Sequence, residues 1–99
     1  MMPVPIPLVI ASRTGSSPAQ EYLGLGVTAH QRSDFGEAER LYRQGLRIEP
    51  NNGPLTNNLA IVYVQQNNPI EALLTIERAT MFAPADAAFV RAILAEAMA

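Results

Sequence analysis

The residue of this sequence best suited to chemistry is His30, the one histidine among 99 residues. An imidazole transfers protons near neutral pH and is a common zinc ligand, but a zinc site also needs neighbouring Cys, His, Asp or Glu ligands. The sequence contains no cysteine, and no tight cluster of carboxylates accompanies His30. We therefore predict no metal site, and we interpret His30 as a polar residue on a binding surface.

Two glutamates, Glu37 and Glu71, have the residue type of a general acid–base pair. Each of them follows a helix-capping residue, Asp34 or Asn68, by three positions, which is the spacing of a capping box. The local structure therefore already accounts for both carboxylates. We assign them to helix starts and not to catalysis.

The segment Gly24-Leu25-Gly26 looks like the beginning of a nucleotide-binding loop. Such a loop follows a strand and carries a third glycine, and its phosphate-binding version ends with a lysine. Here no strand pattern precedes the glycines, no third glycine follows at the right spacing, and the whole chain has no lysine. Because the sequence also lacks a nucleophile placed next to a base, it predicts no cofactor and no enzyme activity.

The composition limits the classes of partner. A chain of 99 residues forms one small domain, and a formal net charge of -2 leaves no basic surface for nucleic acid. The apolar runs fall short of the roughly 20 residues that a membrane-spanning helix requires. The apolar start, MMPVPIPLVI, lacks the basic residues and the cleavage site of a signal peptide. We expect a soluble protein, with the cytoplasm favoured and the compartment otherwise undetermined.

Helix start signals recur at intervals from residue 17 onward. Three of them combine a capping side chain with a proline in the first helical turn, and two have an aspartate cap. In chain order they are Ser17-Pro18, Asp34, Asn52-Gly53-Pro54, Asn68-Pro69 and Asp86. Apolar residues three and four positions apart fill the segments between them. The sequence therefore predicts an all-α fold of about five helices.

The chain also resembles itself when it is shifted by 34 positions. The residues that coincide are Leu25 with Leu59, Gln31 with Gln65, Glu37 with Glu71, Ala38 with Ala72 and Pro50 with Pro84. Small residues coincide too, since Gly26 falls on Ala60 and Gly45 on Ala79, which predicts close contacts between helices at these positions. A fixed period of this length is typical of a helical solenoid.

This period and residue pattern resemble the tetratricopeptide repeat. The first repeat, residues 19–52, follows it at Leu25, Gly26, Ala38, Tyr42 and Pro50, and the second, residues 53–86, at Leu59, Ala60, Tyr63, Ala72, Ile76 and Pro84. The usual tryptophan is replaced by Tyr22 in the first repeat and by Thr56 in the second. Residues 87–98 give the first helix of a third repeat. The resemblance implies a right-handed solenoid of helical hairpins over residues 18–99, after an extended proline-rich arm, residues 1–17. We expect Leu25, Leu59 and Ile76 to be buried.

The resemblance also implies a role as a non-catalytic binding scaffold. In this family the first helix of each hairpin lines a concave groove that binds a protein or peptide segment. The matching groove positions are Leu23, Val27, His30, Gln31, Asn57, Asn58, Ile61, Val64, Gln65 and Arg91. Of the residues with which some members hold a chaperone's terminal carboxylate, Asn58 alone is present, so we expect apolar anchors with hydrogen bonds at Asn57, Asn58 and Gln65. The alternative is a structural spacer whose surface binds nothing.

The final helix carries more apolar residues than contact with the preceding helix can cover, namely Phe89, Val90, Ile93, Leu94 and Ala97. Solenoid units bury such faces only against neighbours, so we expect a further surface to cover it. A larger assembly with another protein is our first interpretation. The alternatives are a homodimer through this helix, or a regulatory part of a larger enzyme. The arm, with Val4, Ile6 and Leu8, either docks in an apolar groove or is flexible.

Overall fold

The computed structural model of the chain describes residues 17–79, 88, 91–92 and 95–96. Four helices follow one another there: α1 (Pro18–Gln31), α2 (Phe35–Ile48), α3 (Gly53–Gln65) and α4 (Pro69–Ala79). Residues 88, 91–92 and 95–96 are helical as well, whereas the rest of the predicted final helix and the arm up to residue 16 lie outside the described residues. The described part contains no strand, so the predicted all-α fold is confirmed.

The first and third helices begin at the predicted capping residues. The hydroxyl of Ser17 accepts a hydrogen bond from the backbone amide of Gln20 at 3.2 Å. At the start of α3, Oδ1 of Asn52 accepts one from the amide of Leu55 at 2.9 Å. Because these amides have no partner inside the helix, each cap stabilises its helix by about 1 kcal/mol.

The capping box predicted for α2 forms only in part. Oδ1 of Asp34 accepts a hydrogen bond from the amide of Glu37 at 3.4 Å. The carboxylate of Glu37 does not return to Asp34, because it accepts two hydrogen bonds from the guanidinium of Arg40, at 3.0 and 2.7 Å. A bidentate pair with a guanidinium is stronger than one bond to a backbone amide. The same pair lowers the pKa of the Glu37 carboxyl.

Both hairpin turns use a residue in the left-handed backbone region. Ser33 follows α1 with a φ of 63°, and Asn67 follows α3 with a φ of 60°. In each turn the next amide then reaches back to the helix, from Asp34 to the carbonyl of Ala29 at 2.9 Å and from Asn68 to that of Tyr63 at 2.8 Å. This bond closes the end of the helix and reverses the chain. The two repeats therefore share the same local turn, 34 residues apart.

The four helices form two hairpins that lie side by side. Helix α1 packs against α2 and α3 against α4, and the hairpins meet mainly through α2 and α3. Gly26 and Gly45 lie at the closest contacts. A Cβ atom on Gly26 would lie 2.5 Å from Cδ1 of Tyr42, and one on Gly45 would lie 2.7 Å from Cδ1 of Leu55. The close contacts that the small residues predict are therefore present at both glycines.

Helix α3 is the centre of the packing, since every residue from 55 to 63 is buried. Leu59 and Ile76 are buried as expected, with exposed fractions of 6% and 0%. Leu25, at the position of Leu59 in the first repeat, is 55% exposed, and the expectation for this residue is wrong. Leu59 packs beside α2 of the preceding hairpin, whereas no described helix occupies the corresponding place next to α1.

Candidate functional site

The predicted groove residues lie on the first helices of the hairpins, whose shared surface we call the α1–α3 face. Six of them are at most 6% exposed: Leu23, Val27, His30, Asn57, Asn58 and Ile61. Val64 and Gln65 are half-buried, and Gln31 and Arg91 are exposed. The accessible part of the α1–α3 face therefore lies near the C-terminal ends of α1 and α3, while its middle is covered.

His30 is 1% exposed and joins three helices. Its Nδ1 atom lies 3.1 Å from the hydroxyl of Tyr42 on α2, and its Nε2 atom is hydrogen-bonded to Oε1 of Gln65 on α3. The imidazole also stands edge-on to the ring of Phe35, with ring centres 5.7 Å apart and planes at 89°. These contacts couple the first hairpin to the second.

The acceptors and donors around His30 determine where its proton lies. A side-chain carbonyl oxygen only accepts, so the bond to Gln65 places the proton on Nε2 and leaves Nδ1 as an acceptor. The hydroxyl of Tyr42 therefore donates to Nδ1, while its oxygen accepts from the amide of Asn58. Hydrogen bonds thus run in one direction from Asn58 through Tyr42 and His30 to Gln65. We call these four side chains the His30 chain.

Burial keeps the His30 chain neutral. Desolvation lowers the pKa of His30 below its ordinary value, an effect that the bond to Gln65 partly offsets. Desolvation also raises the pKa of Tyr42. At neutral pH the imidazole is therefore uncharged and the phenol protonated. The sequence identifies His30 and Gln65 as groove positions and Tyr42 as a packing residue, but no sequence pattern indicates that they bond to one another.

Asn57 is buried with neither amide atom paired. Its side chain is 0% exposed, and Nδ2 and Oδ1 have no hydrogen-bond partner among the described residues. Its neighbour Asn58 points toward Tyr42 of α2, and at 3.6 residues per turn Asn57 points about 100° away from Asn58 around α3. Most buried polar groups in proteins are hydrogen-bonded, so an unpaired primary amide calls for a specific explanation.

A second polar cluster joins the hairpins through Tyr63 of α3, about 120° around that helix from Asn57. The guanidinium of Arg43 donates to the hydroxyl of Tyr63 and to the carboxylate of Glu39, each at 3.2 Å. The Tyr63 hydroxyl lies 3.5 Å from the same carboxylate. Glu39 and Arg43 are four residues apart on α2, the spacing of a local ion pair, whereas Tyr63 joins them from another helix. The cluster links α2 to α3.

The C-terminal candidates are described only in part. The guanidinium of Arg91 lies 4.0 Å from the carboxylate of Glu77, and both side chains are about half exposed, at 48% and 63%. A solvated pair of this kind contributes little to stability. The residues predicted for self-association lie outside the described residues: Phe89, Val90, Ile93, Leu94 and Ala97.

The described residues provide no metal-binding group. Nowhere in residues 17–79 or the described positions beyond them do three or more carboxylate, imidazole or thiol side chains come together. Within the same residues, no helix has the length and hydropathy needed to cross a membrane. The polar groups described above therefore provide hydrogen bonds and surface charge.

Comparison with known families gives one match. A family model described as tetratricopeptide repeat matches residues 29–97, which is more than half of the chain. The matched range begins inside α1 and includes the whole of α2, α3 and α4. No curated protein matches the sequence significantly.

Proposed function

Because the chain belongs to the tetratricopeptide repeat family, we propose that it is a non-catalytic module that binds an extended segment of another protein along the α1–α3 face. Solenoids of this kind bind partners on surfaces formed by successive repeats. The observation that carries the proposal is the unpaired amide of Asn57. The partner is a protein and not a nucleic acid, since the chain is acidic overall.

The amide of Asn57 matches the groups that an extended peptide offers. A backbone presents an N–H donor and a C=O acceptor side by side, and a primary amide has one group to pair with each. On the same face Leu23 and Val27 of α1 and Ile61 of α3 are buried, and they would provide apolar contacts for side chains of the segment once the face opens. The backbone would therefore be held by Asn57, and the sequence preference would come from the apolar neighbours.

Binding requires that the groups over Asn57 move aside, because its side chain is fully covered. Among the residues that the structure describes, none gives either amide atom a hydrogen bond. Leaving a buried donor or acceptor unpaired costs about 1–3 kcal/mol. The hydrogen bonds that a peptide backbone makes to Asn57 therefore offset the free-energy cost of displacing this cover. The exposed Gln31 and the half-buried Val64 mark the accessible end, where a segment first makes contact.

A selection of random peptides displayed on phage tests the proposal. Selected peptides should bind the purified chain and lose at least about fivefold in affinity for Asn57→Leu, a change that keeps the volume and removes the amide. Arg40→Gln is the matched control, because Arg40 is exposed on α2 and its guanidinium donates to Glu37 of the same helix. Affinity that is unchanged by Asn57→Leu, or lowered equally by both variants, would contradict the proposed site.

The larger assembly and the self-association alternative depend on residues 80–99, of which few are described. Light scattering over a range of concentrations separates them. A chain that stays monomeric and still binds the selected peptides supports a module for other proteins. Dimerisation that persists in Asn57→Leu favours self-association.

A further inference from the structure

A cleft of about 370 Å³ lies between α2 and α4, the second helices of the two hairpins. Its apolar lining consists of Leu46, Leu59 and Leu74, and guanidinium groups line it as well, from Arg43, Arg47 and Arg78. Most of its lining residues belong to α2 and α4, and Leu59 and Tyr63 of α3 lie at its base. We call it the α2–α4 cleft.

The charges of the α2–α4 cleft are unbalanced. Glu71 is the one carboxylate among its lining residues, against three guanidiniums. Arg43 is already paired with Glu39 at 3.2 Å. Within residues 17–79, neither Arg47 nor Arg78 has a carboxylate within 4.0 Å, although Arg78 donates one hydrogen bond to the carbonyl of Pro50 at 3.2 Å. Two arginines of an acidic protein therefore face this cleft without a close ion pair to a described carboxylate.

Helix α4 carries an exposed apolar strip, which we call the apolar rim; of its residues, Leu74 lines the cleft. Ile70, Leu73 and Leu74 are 64%, 40% and 57% exposed, and their spacing of three and four residues places them on one side of the helix. The equivalent positions of α2, 34 residues earlier, hold a glycine, a glutamate and an arginine. A contiguous exposed apolar patch is typical of an interaction surface. The second repeat thus has a patch where the first repeat has polar groups.

We propose that the α2–α4 cleft binds an acidic amphipathic helix of a partner protein. A groove between two packed helices accepts a third helix, whose apolar side chains contact Leu46 and Leu74. Carboxylates on the flanks of that helix pair with Arg47 and Arg78. The charge of the two arginines selects an acidic helix over a neutral or basic one. This site is separate from the α1–α3 face, so the chain holds two protein segments at once.

Titration with a synthetic helix tests this site. The probe is an alanine-based helical peptide of about 15 residues with leucines on one face and glutamates beside them, and the control peptide has glutamine in place of each glutamate. Fluorescence anisotropy should show that the glutamate peptide binds, and that its affinity falls as NaCl is added. Arg47→Gln and Arg78→Gln should each weaken binding about fivefold, and the double variant more. Arg40→Gln, whose guanidinium is paired with Glu37, should not change it.

Three outcomes would overturn the proposal. Equal binding of the glutamine peptide removes the role of the charges, and unchanged affinity in the Arg47→Gln, Arg78→Gln double variant removes the assigned residues. Displacement of the peptide by inorganic phosphate at equal charge concentration shows a simple anion site without a role for the apolar rim. Loss of peptide binding in Leu74→Asn would instead support a role for the apolar rim. Asn57→Leu leaves binding of this probe unchanged if the two sites are independent, so each proposal fails on its own.

Discussion

Lowering the pH from about 7.5 to about 5 tests the His30 chain. In the unfolded protein the imidazole of His30 has a pKa of about 6.5. In the folded protein Nε2 already donates to Gln65, and Nδ1 accepts from the hydroxyl of Tyr42. Protonation of Nδ1 would turn this acceptor into a donor, so the hydrogen bond from the Tyr42 hydroxyl would be lost. It would also place a charge on a ring that is 1% exposed. Burial accordingly lowers the pKa of His30 in the folded state.

The sign of the pH effect follows from the lowered pKa. Between the two pKa values the unfolded chain binds more protons than the folded chain, so the free energy of unfolding falls as the pH falls. The loss begins near pH 6.5 and levels off below the folded-state pKa of His30. For one titrating group the slope is at most about 1.4 kcal/mol per pH unit. In a small domain stable by about 5 kcal/mol, a loss of that size is large.

Urea unfolding followed by far-UV circular dichroism at a series of pH values measures this slope. His30→Phe is the matched control, because His30 is the sole histidine and the carboxyl groups titrate at lower pH. We expect the wild type to lose stability between about pH 6.5 and 5.5 while His30→Phe does not. Parallel curves for the two proteins would refute the assignment. If the variant does not fold, an NMR titration of His30 in the wild type measures its pKa directly. A pKa at or above about 6.5 contradicts the buried, neutral His30.

Three further changes have defined outcomes. Gly26→Ala should lower the free energy of unfolding by about 1–2 kcal/mol, because its Cβ would lie 2.5 Å from a buried ring atom of Tyr42. Gly24→Ala should raise the free energy of unfolding, because a Cβ there would have nothing within 4 Å. Urea unfolding of both variants compares them. Ser33→Gly should raise the free energy of unfolding by about 0.5 kcal/mol, because Ser33 has a φ of 63°, a left-handed conformation that glycine adopts without strain. The thermal midpoint should rise with it, and a lower midpoint contradicts this. Asn57→Leu should stabilise the free chain by about 1 kcal/mol and still weaken peptide binding, and a loss of stability would show that its amide is paired.

Together, the two proposed sites would let the chain hold two partners. The α1–α3 face uses an unpaired amide among apolar side chains, and the α2–α4 cleft uses arginines beside an apolar rim. Binding at the first should therefore depend little on salt, and binding at the second should weaken as ionic strength rises. A scaffold that joins two proteins needs such distinct surfaces, so that one partner does not exclude the other.

Much of the fold follows from residues that act within one turn of helix. Ser17, Asn52 and the prolines beside them start helices because a capping oxygen and a fixed φ satisfy the same local need in any context. The 34-residue period indicates that the hairpins repeat, and Gly26 and Gly45 indicate close contacts because no other common reason accounts for a glycine inside a helix. These expectations agree with the structure.

The remaining features depend on which of several possible neighbours a residue contacts. Glu37 bonds to Arg40 and not to Asp34 because the charged pair is the stronger of two local choices. Leu25 has the residue type and repeat position of a buried leucine, but burial also needs a neighbouring helix, which the described residues do not provide. A repeat pattern predicts which residues of a unit can pack against a neighbouring helix, but not whether that helix is present.

The sequence by itself determined the helices, their period and their family, because capping, periodicity and the size of side chains are properties of short segments. Only the tertiary structure decided that His30 bonds to Tyr42 and Gln65, that the Asn57 amide has no partner among the described residues, and that Arg47 and Arg78 face one cleft. These relations join residues on different helices. Their energies depend on distances of a few ångströms that only the packed chain fixes.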